Sequence, residues 1–598
     1  MANRLTYVIA GILLVFMFLF ALLSIQEDSF TFDEVAHVGA GYSYLTQQDY
    51  RMNPEHPPLI KDLAAIPLLF INLNTDNSPD FLKGNPIWEN ASPAVWWHQF
   101  NFGFQFLYNY GNDPDQILFW TRIPMVLIMV LLGFFIFFWS RKLWGNKAAL
   151  FALFLFSFSP TFLAHGRLVT TDVGAALGVV LATYFWLKFL VNPGKKNIIL
   201  AGVAFGIAML IKFSLILLLP FFAIITIIYA WLKNNEKKYQ TIFKYILLSV
   251  LVGSIGLIFI VWPVYEFHVF NYPLEKQIQD TQELLSTTKV KFLTDLNVWM
   301  DENSILRPFG QYFLGLLTAT NRTTSGNTTY FLGDISADSW WNYFPVVYFI
   351  KNPLSFHILT LIALLYVLSL IRRPWWRNSR QRTKDWIKNH FTEFSMLVFL
   401  GIYWATSIFS NLNIGVRHLM PIFPFTIMLV GAVIANWLKE PRLKLKYVII
   451  AILIIWQAVS IILIYPHFIA YFNESIGGPS QGYKYVVDSN LDWGQDLKRL
   501  KSWMDENDID KIYLDYFGGG EPSYYLRGKY SPWKGDENKK EELTKGSYLA
   551  VSVNQLQGGR AIPVKGYDPD PEPTFYNWLN SYDPITVIGY SIFVYRID

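Results

Sequence analysis

The chain has 598 residues, of which 53% are hydrophobic, 18% aromatic and 16% charged, with a formal net charge of +4. That balance is too apolar for an ordinary soluble protein and points to a polytopic membrane protein, and the small net charge gives a nucleic-acid partner no support. Cysteine is absent, which excludes disulfides, thiolate chemistry and Cys-based zinc or iron–sulfur sites.

The first apolar run, LTYVIAGILLVFMFLFALLSI at 5–25, exceeds the roughly 7–15 residues of a signal-peptide core and has no clear small-x-small cleavage site, so it predicts a retained first span. Further runs fall near 118–138, 148–164, 173–191, 198–211, 214–231, 245–263, 353–371, 394–410, 419–437 and 447–465. They make about eleven spans, each close to the ~20 residues that cross a bilayer, with the pair around Lys212 short or tilted. Every second loop is basic: Arg141, Lys142 and Lys147; Lys195 and Lys196; Lys233, Lys237, Lys238 and Lys244; RRPWWRNSRQRTKDWIK at 372–388; and KEPRLKLK at 439–446. The positive-inside rule then places the N-terminus in the cytoplasm and the C-terminal region outside.

The expected architecture is a polytopic α-helical core at 1–465, with outer loops 26–117 and 264–350, followed by a small extracytoplasmic α/β domain at 466–598. Aromatic stretches such as WWHQFNFGFQFLYNY suggest short interfacial helices in the first outer loop. In the tail, LDWGQDLKRLKSWMDEN has helical spacing, while KIYLDYF, SYLAVSVNQL and ITVIGYSIFVYRI have strand composition. FGGGEPS at 517–523 lacks a GxGxxG or Walker lysine and reads as a turn.

The loops assigned to the outside collect the unusual polar residues. Asp33, Glu34 and His37 follow the first span, and Glu55 and His56 lie in EHPPLIK. Arg122 stands at a span mouth, Arg167 and Asp172 in HGRLVTTD, and Lys212 between two spans. Trp340 and Trp341 close the second long loop, and Arg417 and His418 lie in NIGVRH. Glycosyl transfer from a lipid phosphate needs a carboxylate for the acceptor's proton and cations for the departing phosphate, and this set supplies both. Each residue also has a plainer reading. Asp33 and Glu34 equally suit the first turn of a helix. Arg122 and Lys212 suit snorkelling to head groups, Arg167 suits pairing with Asp172, and the tryptophans suit an aromatic belt. Asp33 and His37, four apart, are two potential ligands for a divalent metal, too few to define a site.

FDEVAHVGAGYSYL, NPEHPPLIKDLAAIPLL and SPTFLAHGRLVTTD resemble the membrane core of the C-type glycosyltransferase superfamily, in the branch of protein O-mannosyltransferases and bacterial phospholipid-carrier-dependent transferases. GIAMLIKFSLILLLP, WWNYFPVVYFIKNPL and LNIGVRHLMPIFPF follow in the same order, and YFNESIGGPSQGYKYVVDSNLDWGQDLKRL is similar to the tail of a bacterial subgroup. The resemblance implies a polyprenyl-phosphate sugar donor and inversion at the anomeric carbon. It makes Asp33 the catalytic base beside Glu34, and gives phosphate contacts from Arg122, Arg167 and Lys212, with His56 and Arg417 as further positions. The acceptor stays open among a protein hydroxyl, a glycolipid and an envelope polymer, with the active site outside the cell membrane. The alternatives from other classes are a transporter or flippase of lipid-linked sugars and a non-catalytic envelope assembly subunit.

Overall fold

Asp113 and Pro114 start the long helix Pro114–Trp144: the Asp113 carboxylate accepts from the backbone N–H groups of Asp115 and Gln116, and the proline fills the first helical position. Gly145, at φ 86°, ends it. The computed structural model describes residues 3–74, 82, 85–233, 236–288, 290–371, 378–440, 444–570 and 572–597. Of the expected basic loops, residues 372–377 and 441–443 lie outside the described residues.

Among the described residues, eight helices are long and apolar enough to cross a membrane: Asn3–Leu23, Pro114–Trp144, Asp172–Val191, Phe213–Leu232, Lys238–Val269, Phe391–Ile408, Val416–Trp437 and Leu445–Ile464. The pair Tyr343–Ile350 and Leu354–Ser369 adds a ninth if taken as one span, bent by 109° at Pro353. The two remaining expected spans are helical but shorter. Asn146–Ser157 stops where Ser159 and Pro160 begin a new helix, and Lys195–Met209 stops before the extended backbone of Lys212. Small residues let the membrane helices approach closely. Gly206, in the GVAFG of Lys195–Met209, faces Gly256 so tightly that an added Cβ would lie 2.6 Å from the Gly256 carbonyl oxygen.

The helix Phe32–Gln47 follows the first span and is buried along most of its length. It packs on Leu59–Ala65 and on Trp97–Phe104. At the second contact Gly103 has no room for a side chain, because a Cβ there would lie 2.2 Å from the Val35 carbonyl oxygen. These helices lie in the loop 26–117 that was expected to face outward, and the expected aromatic helix is Trp97–Phe104.

The tail folds as expected into helix and sheet. The helix Leu497–Glu506 precedes a five-stranded sheet ordered Tyr530–Pro532, Ile512–Asp515, Tyr548–Ser552, Ile592–Arg596, Thr586–Ile588. The first three strands are parallel and the last two form an antiparallel hairpin on Tyr548–Ser552. The segment before the sheet reaches back into the core: Ser29 N–H donates to the Gln495 carbonyl and Phe32 N–H to the Trp493 carbonyl, each at 3.0 Å. A second small sheet joins Thr329–Phe331 and Asp334–Ser336 of the long loop to Ile562–Pro563 of the tail.

Candidate active site

Thr31 caps the helix Phe32–Gln47, and Glu34 completes the box: its Oε2 accepts from the Thr31 N–H at 3.0 Å and from the Thr31 hydroxyl at 2.9 Å. The same carboxylate accepts two hydrogen bonds from Arg122, at 2.8 and 2.6 Å, and one from the Val169 N–H at 2.9 Å. Both side chains are sealed from solvent. Burial pushes the Glu34 carboxyl up, but Arg122 and the two backbone N–H groups outweigh it and hold it below its usual value. Glu34, expected beside the base in the catalytic pair, thus has its lone pairs taken by the Thr31 N–H and hydroxyl, Arg122 and the Val169 N–H.

Asp28, one turn beyond the first span, completes that network. It receives Arg122 at 3.1 Å, Arg499 at 2.9 Å and Arg167 at close hydrogen-bonding distance, and Arg499 also holds Asp496 at 2.5 Å. Burial pushes Asp28 up, and the opposing charges of Arg167, Arg499 and Arg122 bring it below its ordinary value. Three buried guanidiniums thus face three carboxylates, Asp28, Glu34 and Asp496, with which they balance. Arg122 and Arg167, expected to grip a lipid phosphate, both point inward and are buried with carboxylate partners. Arg167 does not pair with Asp172, and Arg122 does not snorkel.

Asp33 is placed differently. Its side chain is 27% exposed where that of Glu34 is 0% exposed, and its Oδ2 lies 3.1 Å from Arg417. Arg417 also lies 3.5 Å from Asp172, donates Nε to the Ser489 hydroxyl at 3.3 Å, and stacks its guanidinium 4.2 Å from the centre of the Trp493 ring. Asp172 in turn holds Lys212 at 2.5 Å. Arg322 pairs with Glu55, counts Asp33 and Arg417 among its charged neighbours, and is the most open of these cations at 39%. Asp488 faces the same charges, and burial pushes its carboxyl up.

The histidines line this centre without carrying charge to it. His37 gives Nδ1 to the Val169 carbonyl at 2.7 Å, and burial pulls its ring below the ordinary value against Asp33. His56 lies 5.7 Å from it, ring to ring. Burial, then His37, Lys212, Lys61 and Arg322, pull His56 far down, so at neutral pH it offers a phosphate one N–H and no charge. His418 keeps Nε2 buried with no hydrogen-bond partner among the described residues. The tryptophans belong with the small sheet instead: Trp340 packs on Phe331 and under Lys565, and Trp341 is 72% exposed. A metal does not fit here. Among the described residues no three His, Asp or Glu side chains are grouped to hold one, and the two expected ligands face Arg417 and the Val169 carbonyl.

The structure thus brings Asp33, Asp172, Lys212, His37, His56, Glu55, Arg417 and His418 to one centre. It adds Arg322, Asp488, Ser489 and Trp493 there, and Asp28 in the buried arginine network beside it, all of which sequence reasoning missed. Asp28 sits in QEDS at the end of the first apolar run, and Arg322 inside a sequon, Asn321-Arg322-Thr323; acids at a span end and a basic residue in an outer loop were the available signals.

Residues 116–262, which contain Arg122, Arg167, Asp172 and Lys212, match the family model of dolichyl-phosphate-mannose-protein mannosyltransferases. Over this segment the chain is protein O-mannosyltransferase-like. The matched segment falls in the branch that the sequence motifs resemble. Among solved structures, this chain is similar to the Saccharomyces cerevisiae protein O-mannosyltransferase Pmt1-Pmt2 complex bound to the sugar donor, at 18% identity and TM-score 0.33 over 45% of this chain and 34% of that one. The apo Archaeoglobus fulgidus oligosaccharyltransferase matches at 10% identity and TM-score 0.46, over 94% of this chain and 72% of that one. ArnT from Cupriavidus metallidurans bound to undecaprenyl phosphate matches at 11% identity and TM-score 0.32, over 100% of this chain and 98% of that one. The chain therefore spans about a third of the yeast protein's length. No curated protein sequence matches it.

Proposed function

We propose that the protein is an integral-membrane glycosyltransferase that moves a sugar from a polyprenyl phosphate to an acceptor hydroxyl, with Asp33 as general base. The observation that carries this reading is the contrast within one pair of adjacent acids. Glu34 is saturated and sealed, while Asp33 opens onto a centre of cations that lie beside it. The matched family model names a dolichyl-phosphate sugar as donor, and the alternation of basic loops supports an outward-facing site.

In an inverting displacement the acceptor oxygen forms its bond to the anomeric carbon as the bond to phosphate breaks on the opposite face. The acceptor's proton goes to the Asp33 carboxylate and the electron pair leaves with the phosphate. A group that touches the base is on the wrong side to meet the leaving group, so Arg417 serves to orient Asp33. Arg322 and Lys212 are then the cations for the phosphate, which would take the place of Glu55 and Asp172 as their anionic partner. Lys212 keeps its expected role, and Arg322 takes the one given to Arg122 and Arg167.

The test is release of polyprenyl phosphate from undecaprenyl-phosphate-mannose by purified protein in liposomes, with an envelope extract supplying acceptors. Asp33→Asn should lower turnover by about 10²-fold or more with unchanged folding, and Arg322→Ala should raise the donor KM. Near-normal turnover by Asp33→Asn would remove the base. Translocation of donor by the wild-type protein without any sugar transfer would make it a transporter.

A further inference from the structure

The five-stranded sheet of the tail carries a cavity that the transfer chemistry does not use. The chain runs through Ile512–Asp515, crosses to Tyr530–Pro532 on one side, and then returns to Tyr548–Ser552 on the other, all three parallel. The connection that leaves the first strand runs to one side and the one that leaves Tyr548–Ser552 runs to the other, and open parallel sheets of this kind bind ligands outside the carboxyl ends of their strands. A cavity of about 470 Å³ lies there, within the size range of small-molecule sites.

Asp515, the last residue of that strand, is 5% exposed and lines the cavity. Its Oδ2 accepts from the Gly535 N–H at 3.1 Å and from the Tyr576 hydroxyl at 2.5 Å, which fixes the carboxylate in place. Gln555 contributes an amide, Tyr516 and Phe575 contribute rings, and Asp536 and Glu537 stand at the exposed rim. Lys534 beside them is paired with Glu537 at 2.7 Å. The acids disfavour a phosphate or nucleotide. The rim carboxylates of Asp536 and Glu537 and the remaining lone pairs of Asp515 can accept further hydrogen bonds, which a wholly apolar ligand would not donate. A divalent cation has no grouped ligand set among the described residues. What remains complementary is a molecule with many neutral hydroxyl donors and apolar C–H faces.

We propose that this cavity binds a neutral saccharide. Two residues beyond Asp515, Phe517 stacks on Phe32 at 5.2 Å between ring centres, and Phe32 directly precedes Asp33. A glycan held in the crevice thus lies next to the helix that carries the base, and under the transferase reading it is the glycan of the acceptor. Binding itself does not rest on that reading.

The experiment is isothermal titration of the full-length protein, in nanodiscs to avoid sugar-headed detergents, with mannotriose, maltotriose and chitotriose. At least one should bind. Its affinity should fall fivefold or more in Gln555→Ala and in Asp536→Ala, while Asp33→Asn binds like wild type whatever its turnover. No binding by any of the three overturns the proposal, as does wild-type affinity in both cavity variants. Calcium or inorganic phosphate binding that is lost in those variants, with no saccharide binding, overturns it in favour of an ion site. Loss of binding in Asp33→Asn places the sugar elsewhere and overturns it too.

Discussion

Arg417 lies across the face of Trp493, 4.2 Å from the ring centre, while its NH1 reaches Asp33 at 3.1 Å. A desolvated contact of this kind is worth about 2 kcal/mol, or roughly 30-fold in rate if all of it orients the base. Trp493→Phe, which keeps an aromatic face, should retain most of the turnover. Trp493→Ala should lower kcat more than tenfold with little change in donor KM. Parallel losses in kcat and in thermal stability for both variants would assign Trp493 to folding alone.

Glu34 and Asp33 are neighbours with opposite expected mutational behaviour. Glu34→Gln leaves three buried guanidiniums facing two carboxylates, a cost of about 3–5 kcal/mol. Size-exclusion profiles and thermal unfolding should show a destabilised, poorly recovered protein, whereas Asp33→Asn elutes and melts like wild type. A Glu34→Gln protein as stable as wild type would contradict the role given to the network.

Gly103 seats the helix that carries the base. A Cβ there would meet the Val35 carbonyl carbon and oxygen, both backbone atoms that cannot turn aside. Gly103→Ala should lower the apparent Tm and depress transfer together. Gly253, in Lys238–Gly256, has open space around its Cβ position, so Gly253→Ala should be neutral or slightly stabilising. Equal melting of the two variants would refute the packing argument.

Asp301, in the helix Lys291–Glu302, gives a pH signature. Burial pushes its carboxyl up to about 7, against hydrogen bonds from Thr281 and Asn297. The folded form then holds a proton that the unfolded chain releases near pH 4, so this residue makes stability fall as pH rises from about 4 to about 7 and level off above. Asp301→Asn should flatten that slope in thermal melts between pH 4.5 and 8. An unchanged slope would assign it to other groups.

The membrane helices were legible because long apolar runs have few alternatives, and Asp33 drew attention because an acid just beyond a span asks for a reason. The partners of Arg122 and Arg167 were not legible, because a sequence displays charges without their counter-charges. Their counter-charge, Asp28, lies 94 and 139 positions away in the chain. Arg322 and Trp493 escaped for the same reason: neither carries a local pattern, and each acquires meaning from a contact with a remote loop. The tail's strands were readable by composition, but nothing local announced that residues 488–496 close over the first outer helix.

Ser29 and Gly494 meet through a hydrogen bond that spans 465 positions. At ribosomal speeds of about 5–20 residues per second, roughly half a minute to a minute and a half separates their synthesis. Throughout that interval the acid at position 33 would wait in the bilayer without its roof, its arginine unstacked. Competence would then arrive late and all at once, as a property of the finished translation product and not of its membrane-inserted half.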